Sequence, residues 1–544
     1  MPTPAALQCL ICGAMTPAPA LSCHACGEAT WAPAAPDLDE PTAPAPATAT
    51  PATGPLADPI TDPITDLDAD ALSQAIHARQ LSCREVMQAT LARIHRLNPA
   101  ANAIVNLAPD DTLLAQADVC DAELARGRSR GWLHGMPQGI KDTGHALGFP
   151  STFGCTLLAD QMPAADSLMT ARMKAAGCIV IGKTNMPELG LGSHTFNRLF
   201  GATPNAFDTA VSAGGSSGGA GAALALRLLP VADGSDFMGS LRNPAAWANL
   251  YGLRPSAGRV PYWPSNDAFI AQMGSEGPMA RSVRSLARLL AIQAGWDARV
   301  PLSIAQGPQA FLPDAPVGAE GLRGLRIGWL GDLRGHLALD EGLLPVLEQS
   351  LAGMAAAGAI VEPVTLGIDP DAVWQCWLAW RRALVGPRVA AAMAARPGHP
   401  DPRSEIKPEA LWEHDQAQGL SAMDLMRASQ TRTALHAALL ALFARHDLLA
   451  LPTTQVWPFP IGERWPKQIA GRTMDTYHRW METTIYATLG GLPALSVPAG
   501  FHANGRWPAG LQLIGPPQGD AALLRAAAAH EATVPGLLAR RPGR

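Results

Sequence analysis

Three stretches of the chain carry residues able to do acyl chemistry. Gly214-Gly215-Ser216-Ser217-Gly218-Gly219 sets one serine among glycines, and Asp236-Phe237-Met238-Gly239-Ser240-Leu241-Arg242 sets a second serine 24 positions on. A hydroxyl becomes a nucleophile when a base takes its proton and fixed donors wait for charge on the carbonyl oxygen. Glycine lets the backbone approach a substrate closely and adopt φ > 0. Upstream, Gly135-Met-Pro-Gln-Gly-Ile-Lys141-Asp142 ends a short apolar run on a lysine. A lysine serves as base only where burial keeps it neutral. A fourth cluster is of another kind: Cys9-x2-Cys12-x10-Cys23-x2-Cys26, two thiol pairs on tight turns.

Taken together, the two serine segments and the lysine segment resemble the amidase signature family, whose members hydrolyse or transfer amide groups through a serine–serine–lysine triad. The resemblance spans about residues 68 to 532. It includes Leu97-Asn-Pro-Ala-Ala-Asn102, Gly182-Lys-Thr-Asn-Met-Pro-Glu188, Gly277-Pro-Met-Ala-Arg281, Gly491-Leu-Pro-Ala-Leu-Ser-Val-Pro-Ala-Gly500 and Pro508-Ala-Gly-Leu-Gln-Leu-Ile-Gly515. It implies Ser240 as nucleophile, Ser216 as a bridging serine on a cis peptide, and Lys141 as the base. The backbone N–H groups of Phe237, Met238, Gly239 and Ser240 are the implied oxyanion hole, with Asp142, Ser217, Asp236 and Arg242 as supporting residues. An Asp236–Arg242 ion pair is expected. Such enzymes usually carry Gly-Gly before the nucleophile, so Met238 reshapes the hole or narrows the acyl pocket. A helix expected over Leu241–Leu250 would turn its positive end toward the oxyanion.

The same residues also fit other chemistries. Gly214-x-Ser216-x-Gly218 also fits the nucleophile elbow of α/β-hydrolases, with His478 or His502 as downstream partner. That reading leaves Lys141 and Ser240 without a role. Gly177-Cys-Ile-Val-Ile-Gly182-Lys183-Thr184 matches the phosphate-loop pattern, but its apolar interior reads as a strand rather than an open cradle. Trp374, Trp377 and Trp380 form a stripe on one helix, either core or the lining of a pocket for a bulky acyl group.

The elements that must hold these residues alternate. Leu72, Ile76, Leu81, Val86, Ala89, Leu91 and Ile94 recur near the 3.6-residue period, and Pro99 is expected to end that helix. Helices are also predicted over 110–126, 167–176, 220–229 and 341–358, with buried strands over 177–181, 325–329 and 359–361. Such alternation predicts an α/β fold with a mostly parallel sheet. The family resemblance sharpens this to one large mixed, mostly parallel sheet covered by helices, with 300–450 shaping the acyl pocket. The catalytic domain is placed at 67–544.

Before it, residues 32–66 hold nine prolines and the echo Asp58-Pro-Ile-Thr/Asp62-Pro-Ile-Thr, the composition of a tether. Residues 1–31 read as a zinc-ribbon-like module in which Cys9, Cys12, Cys23 and Cys26 close a tetrahedral structural site. Two disulfides or a rubredoxin-like iron site are the alternatives for these thiols. The module carries no Lys or Arg through Trp31, which argues against phosphate contact.

The 544 residues are 48% hydrophobic and 16% charged with net charge −5, which excludes a disordered scaffold and a basic nucleic-acid or membrane-surface footprint. There is no signal-peptide pattern and no long apolar span, so a cytoplasmic location is expected. The remaining five cysteines sit in apolar contexts and are expected to be reduced and buried. The leading reading is an amidohydrolase acting on a small-molecule amide, without a catalytic cofactor. A homo-oligomer is compatible with the sequence. The alternatives are the glutaminase-type subunit of a tRNA-dependent amidotransferase and a catalytically silent binding protein organised by the ribbon.

Overall fold

The computed structural model describes Leu56, residues 62–270, 272–312 and 317–543, and the backbone of three short strands within the first 33 residues. The chain divides into two compact units, Met1–Pro46 and Ala47–Arg544. In the first, Ala6–Cys9 pairs antiparallel with both Met15–Pro17 and Trp31–Pro33. Cys12, Cys23 and Cys26 lie outside the described residues, and of Cys9 only the backbone is described. The expected metal site therefore falls outside what the structure describes. Among the described residues no group of three or more His, Cys, Asp or Glu is placed to share a metal.

In the second unit the chain is already anchored before residue 67. Leu56 N–H donates to the Ala206 carbonyl at 3.1 Å, and Arg93 Nη1 donates to Thr65 Oγ1 at 2.8 Å. Asp66 faces Arg541 at 2.8 Å. The expected tether thus ends earlier than residue 66, because an aspartate and a threonine in it meet buried or half-buried arginines.

The expected first helix is two, Ala69–His77 and Cys83–Ala101. Arg79 at φ +57 turns the chain out. Ser82 then restarts it with a capping box, accepting from Glu85 N–H at 3.1 Å while its own N–H donates to Glu85 at 2.8 Å. Such a cap stabilises a helix by about 1 kcal/mol. Pro99 lies inside the last turn rather than ending the helix; a missing N–H there costs one ladder bond, and Asn102 in the left-handed region closes the helix.

The core is an eight-stranded sheet in the order Ile360–Pro363, Arg326–Trp329, Leu448–Pro452, Pro508–Ile514, Ala494–Phe501, Tyr251–Arg254, Ser275–Ala280, Val231–Asp236. It is mixed, as expected, but it is not mostly parallel. Only the two pairings of Arg326–Trp329 are parallel, and the other five are antiparallel. The short link between Ala494–Phe501 and Pro508–Ile514 allows only a hairpin. Hydrophobic periodicity carries no strand direction, so it cannot reveal this. Helices Arg242–Trp247, Val283–Gln293, Leu343–Ala356 and Asp520–Glu531 pack on the sheet.

A separate three-stranded sheet has Ile179–Thr184 at its centre, antiparallel to Ile104–Val105 and parallel to Pro137–Lys141. The phosphate-loop lookalike is that central strand. Lys183 is fully buried, donates to the Gly144 carbonyl, and stands 3.8 Å from Asp142. The five described cysteines are free and buried. No helix among the described residues is long and apolar enough to cross a membrane.

Candidate active site

Lys141 closes the strand Pro137–Lys141, whose five residues are all buried. This small sheet meets the large one through a side chain rather than a ladder: Lys141 N–H donates to Asp233 Oδ2 at 3.1 Å. The Lys141 side chain, 1% exposed, then reaches a cluster of oxygens. Its Nζ lies 2.8 Å from Ser216 Oγ, 2.9 Å from Ser217 Oγ, 3.0 Å from Ser235 Oγ and 3.4 Å from the Ser235 carbonyl. A neutral amine has two donors and one lone pair, so it can donate to two of these oxygens and accept from the Ser216 hydroxyl. Burial pushes the amine down from 10.5 to about 7, against the pull of Asp233, Asp236 and Glu276 and with Arg388 adding to the fall.

The Gly215–Ser216 peptide is cis. Glycine in this segment serves packing as much as substrate approach. A Cβ on Gly218 would come 2.2 Å from Thr195 Oγ1, so only glycine lets the helix Gly218–Ala225 start there. Ser193 Oγ donates to the Gly215 carbonyl and accepts from Asn243 Nδ2 at 3.0 Å. Asn243 N–H donates in turn to the Gly239 carbonyl at 2.6 Å, and Ser217 N–H donates to the Ser240 carbonyl at 3.2 Å. These bonds lock the two serine loops together.

Ser240 is 7% exposed and Ser216 3%. Both line a cleft of about 470 Å³, open mouth included, with Thr143, Ser235, Phe237, Met238, Arg381, Arg388 and Met481. The turn that carries Ser240 is built on Asp236. Its carboxylate accepts Gly239 N–H at 3.0 Å and Leu241 N–H at 3.1 Å, and it receives a bidentate Arg242 at 2.8 and 3.0 Å. Burial alone would raise this carboxyl, but Arg242 and Arg254 hold it well below the usual carboxylate range. Gly239 sits at φ +81, and a Cβ there would meet Asn243 Oδ1 at 2.6 Å.

Two expectations change at this turn. The Gly239 N–H is committed to Asp236, which leaves the amides of Phe237, Met238 and Ser240 without an acceptor among the described residues. The helix after Ser240 has six residues, Arg242–Trp247, too short for a substantial dipole at the oxyanion. Asp142 accepts from Thr152 and Gly154 and so pins the loop after Lys141.

The elbow reading finds no partner for Ser216. His478 is buried among Trp374, Tyr477 and Trp412, its ring nitrogens without hydrogen-bond partners among the described residues. His502 packs against Trp457 and Trp507.

Several residues escape a reading of the sequence. Ser235 and Asp233 belong to a buried strand written Val-Ala-Asp-Gly-Ser-Asp, and polar residues in so buried a strand are the signal that points to them. Arg381, on the helix Pro370–Ala394, pairs with Glu413, donates to Tyr477 OH at 2.6 Å and reaches Met238 Sδ at 3.8 Å. All three tryptophans of the stripe are buried, and Trp377 packs on Phe237 with ring centroids 5.0 Å apart.

The amidase family model matches residues 85–524. The chain belongs to the amidase signature family. It is an amidase, an enzyme that hydrolyses carboxylic amides. An acylamidase from Rhodococcus erythropolis is 33% identical over 474 residues, covering 86% of this chain and 96% of the relative. A glutamyl-tRNA(Gln) amidotransferase subunit from Thermus thermophilus is 36% identical over 85% of this chain and 96% of its own length. Among solved structures, a bacterial aryl acylamidase of the amidase signature family superposes with a TM-score of 0.81 at 31% identity, covering 88% of this amidase and all of that chain.

Proposed function

We propose that this amidase cleaves a small acyl or aryl amide through Lys141, Ser216 and Ser240. The observation that carries the reading is the buried lysine amine 2.8 Å from Ser216 Oγ, beside the cleft that Ser240 also lines. Ser240 Oγ attacks the amide carbonyl as its proton passes to Ser216 and the Ser216 proton passes to Lys141 Nζ. The amides of Phe237, Met238 and Ser240 hold the oxyanion. Lys141 then returns a proton through Ser216 to the leaving nitrogen, the C–N bond breaks, and water hydrolyses the acyl-enzyme by the same relay. No step calls on a cofactor.

Phe237, Met238, Met481 and the Trp377 behind Phe237 make the acyl side apolar, which favours a bulky or aromatic acyl group. The side chain at Met238 occupies a position where the family usually has glycine, and this favours hydrolysis over the glutaminase-type subunit role. The N-terminal module we assign to one structural zinc on Cys9, Cys12, Cys23 and Cys26, with the proline-rich segment as tether and a cytoplasmic location for the whole.

Incubation with a fluorophosphonate followed by peptide mapping tests the assignment. The adduct is expected on the peptide bearing Ser240, and Ser240→Ala is expected to lose label and about 10^4–10^6 of kcat. An adduct on Ser216 would overturn it. Turnover of simple anilides by the isolated chain separates the hydrolase from an amidotransferase component.

A further inference from the structure

The face of the large sheet beneath Lys141 carries an acid that the proton relay does not use. In the antiparallel pairing of Val231–Asp236 with Ser275–Ala280, Ser235 stands opposite Glu276 and Asp233 opposite Pro278. Cross-strand partners point to the same face, as do residues two apart on one strand. Asp233, Ser235 and Glu276 therefore share a face, and it is the one Lys141 touches through Asp233 and Ser235. Glu276 is 2% exposed, and its Oε2 has no hydrogen-bond partner among the described residues. A buried carboxylate without donors is costly, whereas a neutral carboxyl is far less so.

We propose that Glu276 is a positioning acid that governs whether Lys141 is amine or ammonium: kept as a neutral carboxyl it leaves the amine free to take the serine proton, and once ionised it holds a proton on that amine. This rests on the reading of Lys141 as the base. Other groups face the pair. Asp233 and Asp236 come from the neighbouring strand, Lys183 from the small sheet, Arg388 from the helix Pro370–Ala394 and Tyr262 from the loop before Ser275. Asp236 is committed to its arginines, and Asp233, which accepts the Lys141 N–H and is raised by burial to about 6, ionises first, which leaves Glu276 as the acid that changes state over the span in which Lys141 does. Burial, with Asp233 beside it, pushes Glu276 up to about 8 while burial brings Lys141 down to about 7, so acid and amine lose their protons over the same span of pH, and there an ionised Glu276 keeps the proton on Lys141. Glu276 loses no proton in turnover; it biases the one on Lys141.

The test is the pH profile of Glu276→Gln in the full chain, read both as kcat/KM on a small anilide and as the rate of fluorophosphonate inactivation. Glutamine cannot ionise, so the acid limb is expected to move to lower pH by about one unit, the size of effect an opposite charge within a few ångströms exerts. Glu276→Asp, still ionisable, is expected to keep the limb near that of the parent. If Glu276→Gln does not fold, Glu276→Met asks the same question with an uncharged chain of similar length. A limb that stays in place in the uncharged variant overturns the proposal. Lys141→Ala, measured alongside, separates the two readings. Should it keep the parent's limb, Lys141 is not the base; should it be inert while the uncharged variant leaves the limb unmoved, only the role of Glu276 falls.

Discussion

Replacing Asp236 by asparagine strikes stability and chemistry through one carboxylate. Asp236, Arg242 and Arg254 are all fully buried, so two guanidinium groups already share a single negative charge. Asparagine leaves both unneutralised and turns an amide N–H toward donors. Removing one partner of a buried ion pair costs about 3–5 kcal/mol. Unfolding entropy of about 2.1 cal/mol/K per residue over the roughly 500 residues of the unit Ala47–Arg544 is about 1 kcal/mol/K, so Tm is expected to fall by roughly 3–5 °C. The same change leaves one side-chain oxygen where Gly239 N–H and Leu241 N–H, on either side of Ser240, each had their own, so one of the two loses its acceptor. The amides proposed to hold the oxyanion then lose their fixed direction, and kcat is expected to fall by about 10^2–10^3. Thermal unfolding by circular dichroism and kcat on an anilide measure the two effects separately. A second variant, Asp236→Leu with Arg242→Met and Arg254→Met, is expected to regain part of the lost Tm and none of the lost kcat, because apolar side chains can replace all three buried charges but not hold the turn. Wild-type kcat in Asp236→Asn, with Tm within about 1 °C, would refute the assigned role of this carboxylate.

Two further outcomes are expected. With Lys141 as the proposed base, the active form is the neutral amine, which burial brings down to about 7, so kcat/KM should rise with pH through about 7 and level off above it; a rate that peaks in acid would exclude a lysine base. Deletion of residues 1–46 should remove one zinc per chain by metal analysis and leave anilide turnover within a few-fold, since the cleft is lined by residues from Thr143 onward; equal zinc in both proteins, or a collapse of kcat, would show the module misread.

The parts of the site legible in the sequence are those in which chemistry and chain are local. Ser216 and Ser217 sit side by side in one glycine-rich run, and Asp236 lies six positions from Arg242, a spacing that lets a turn close an ion pair. Lys141 is alone in its segment and is visible only through the family resemblance. Glu276 and Arg381 leave no such trace. Glu276 comes to the site through strand register, and Arg381 meets Tyr477 across 96 positions of chain. Element types are legible where a cap marks the start, as at Ser167 before Leu168–Ala175. Strand direction is not, since alternation of apolar residues is the same whichever way a strand runs.

Part of the cleft wall comes from a stretch of chain far from the residues assigned to its chemistry. The proposed proton relay and the amides proposed for the oxyanion all lie between Lys141 and Ser240, whereas Arg381, Arg388 and Met481 line the cleft from the other half of the chain. An experimenter seeking new amide substrates can therefore randomise exposed or cleft-facing positions of Pro370–Ala394 and the neighbourhood of Met481 while leaving the reactive segment untouched. The cluster of Arg381, Glu413 and Tyr477 marks where such a library must stop, because each of those side chains anchors the wall that the library is meant to reshape.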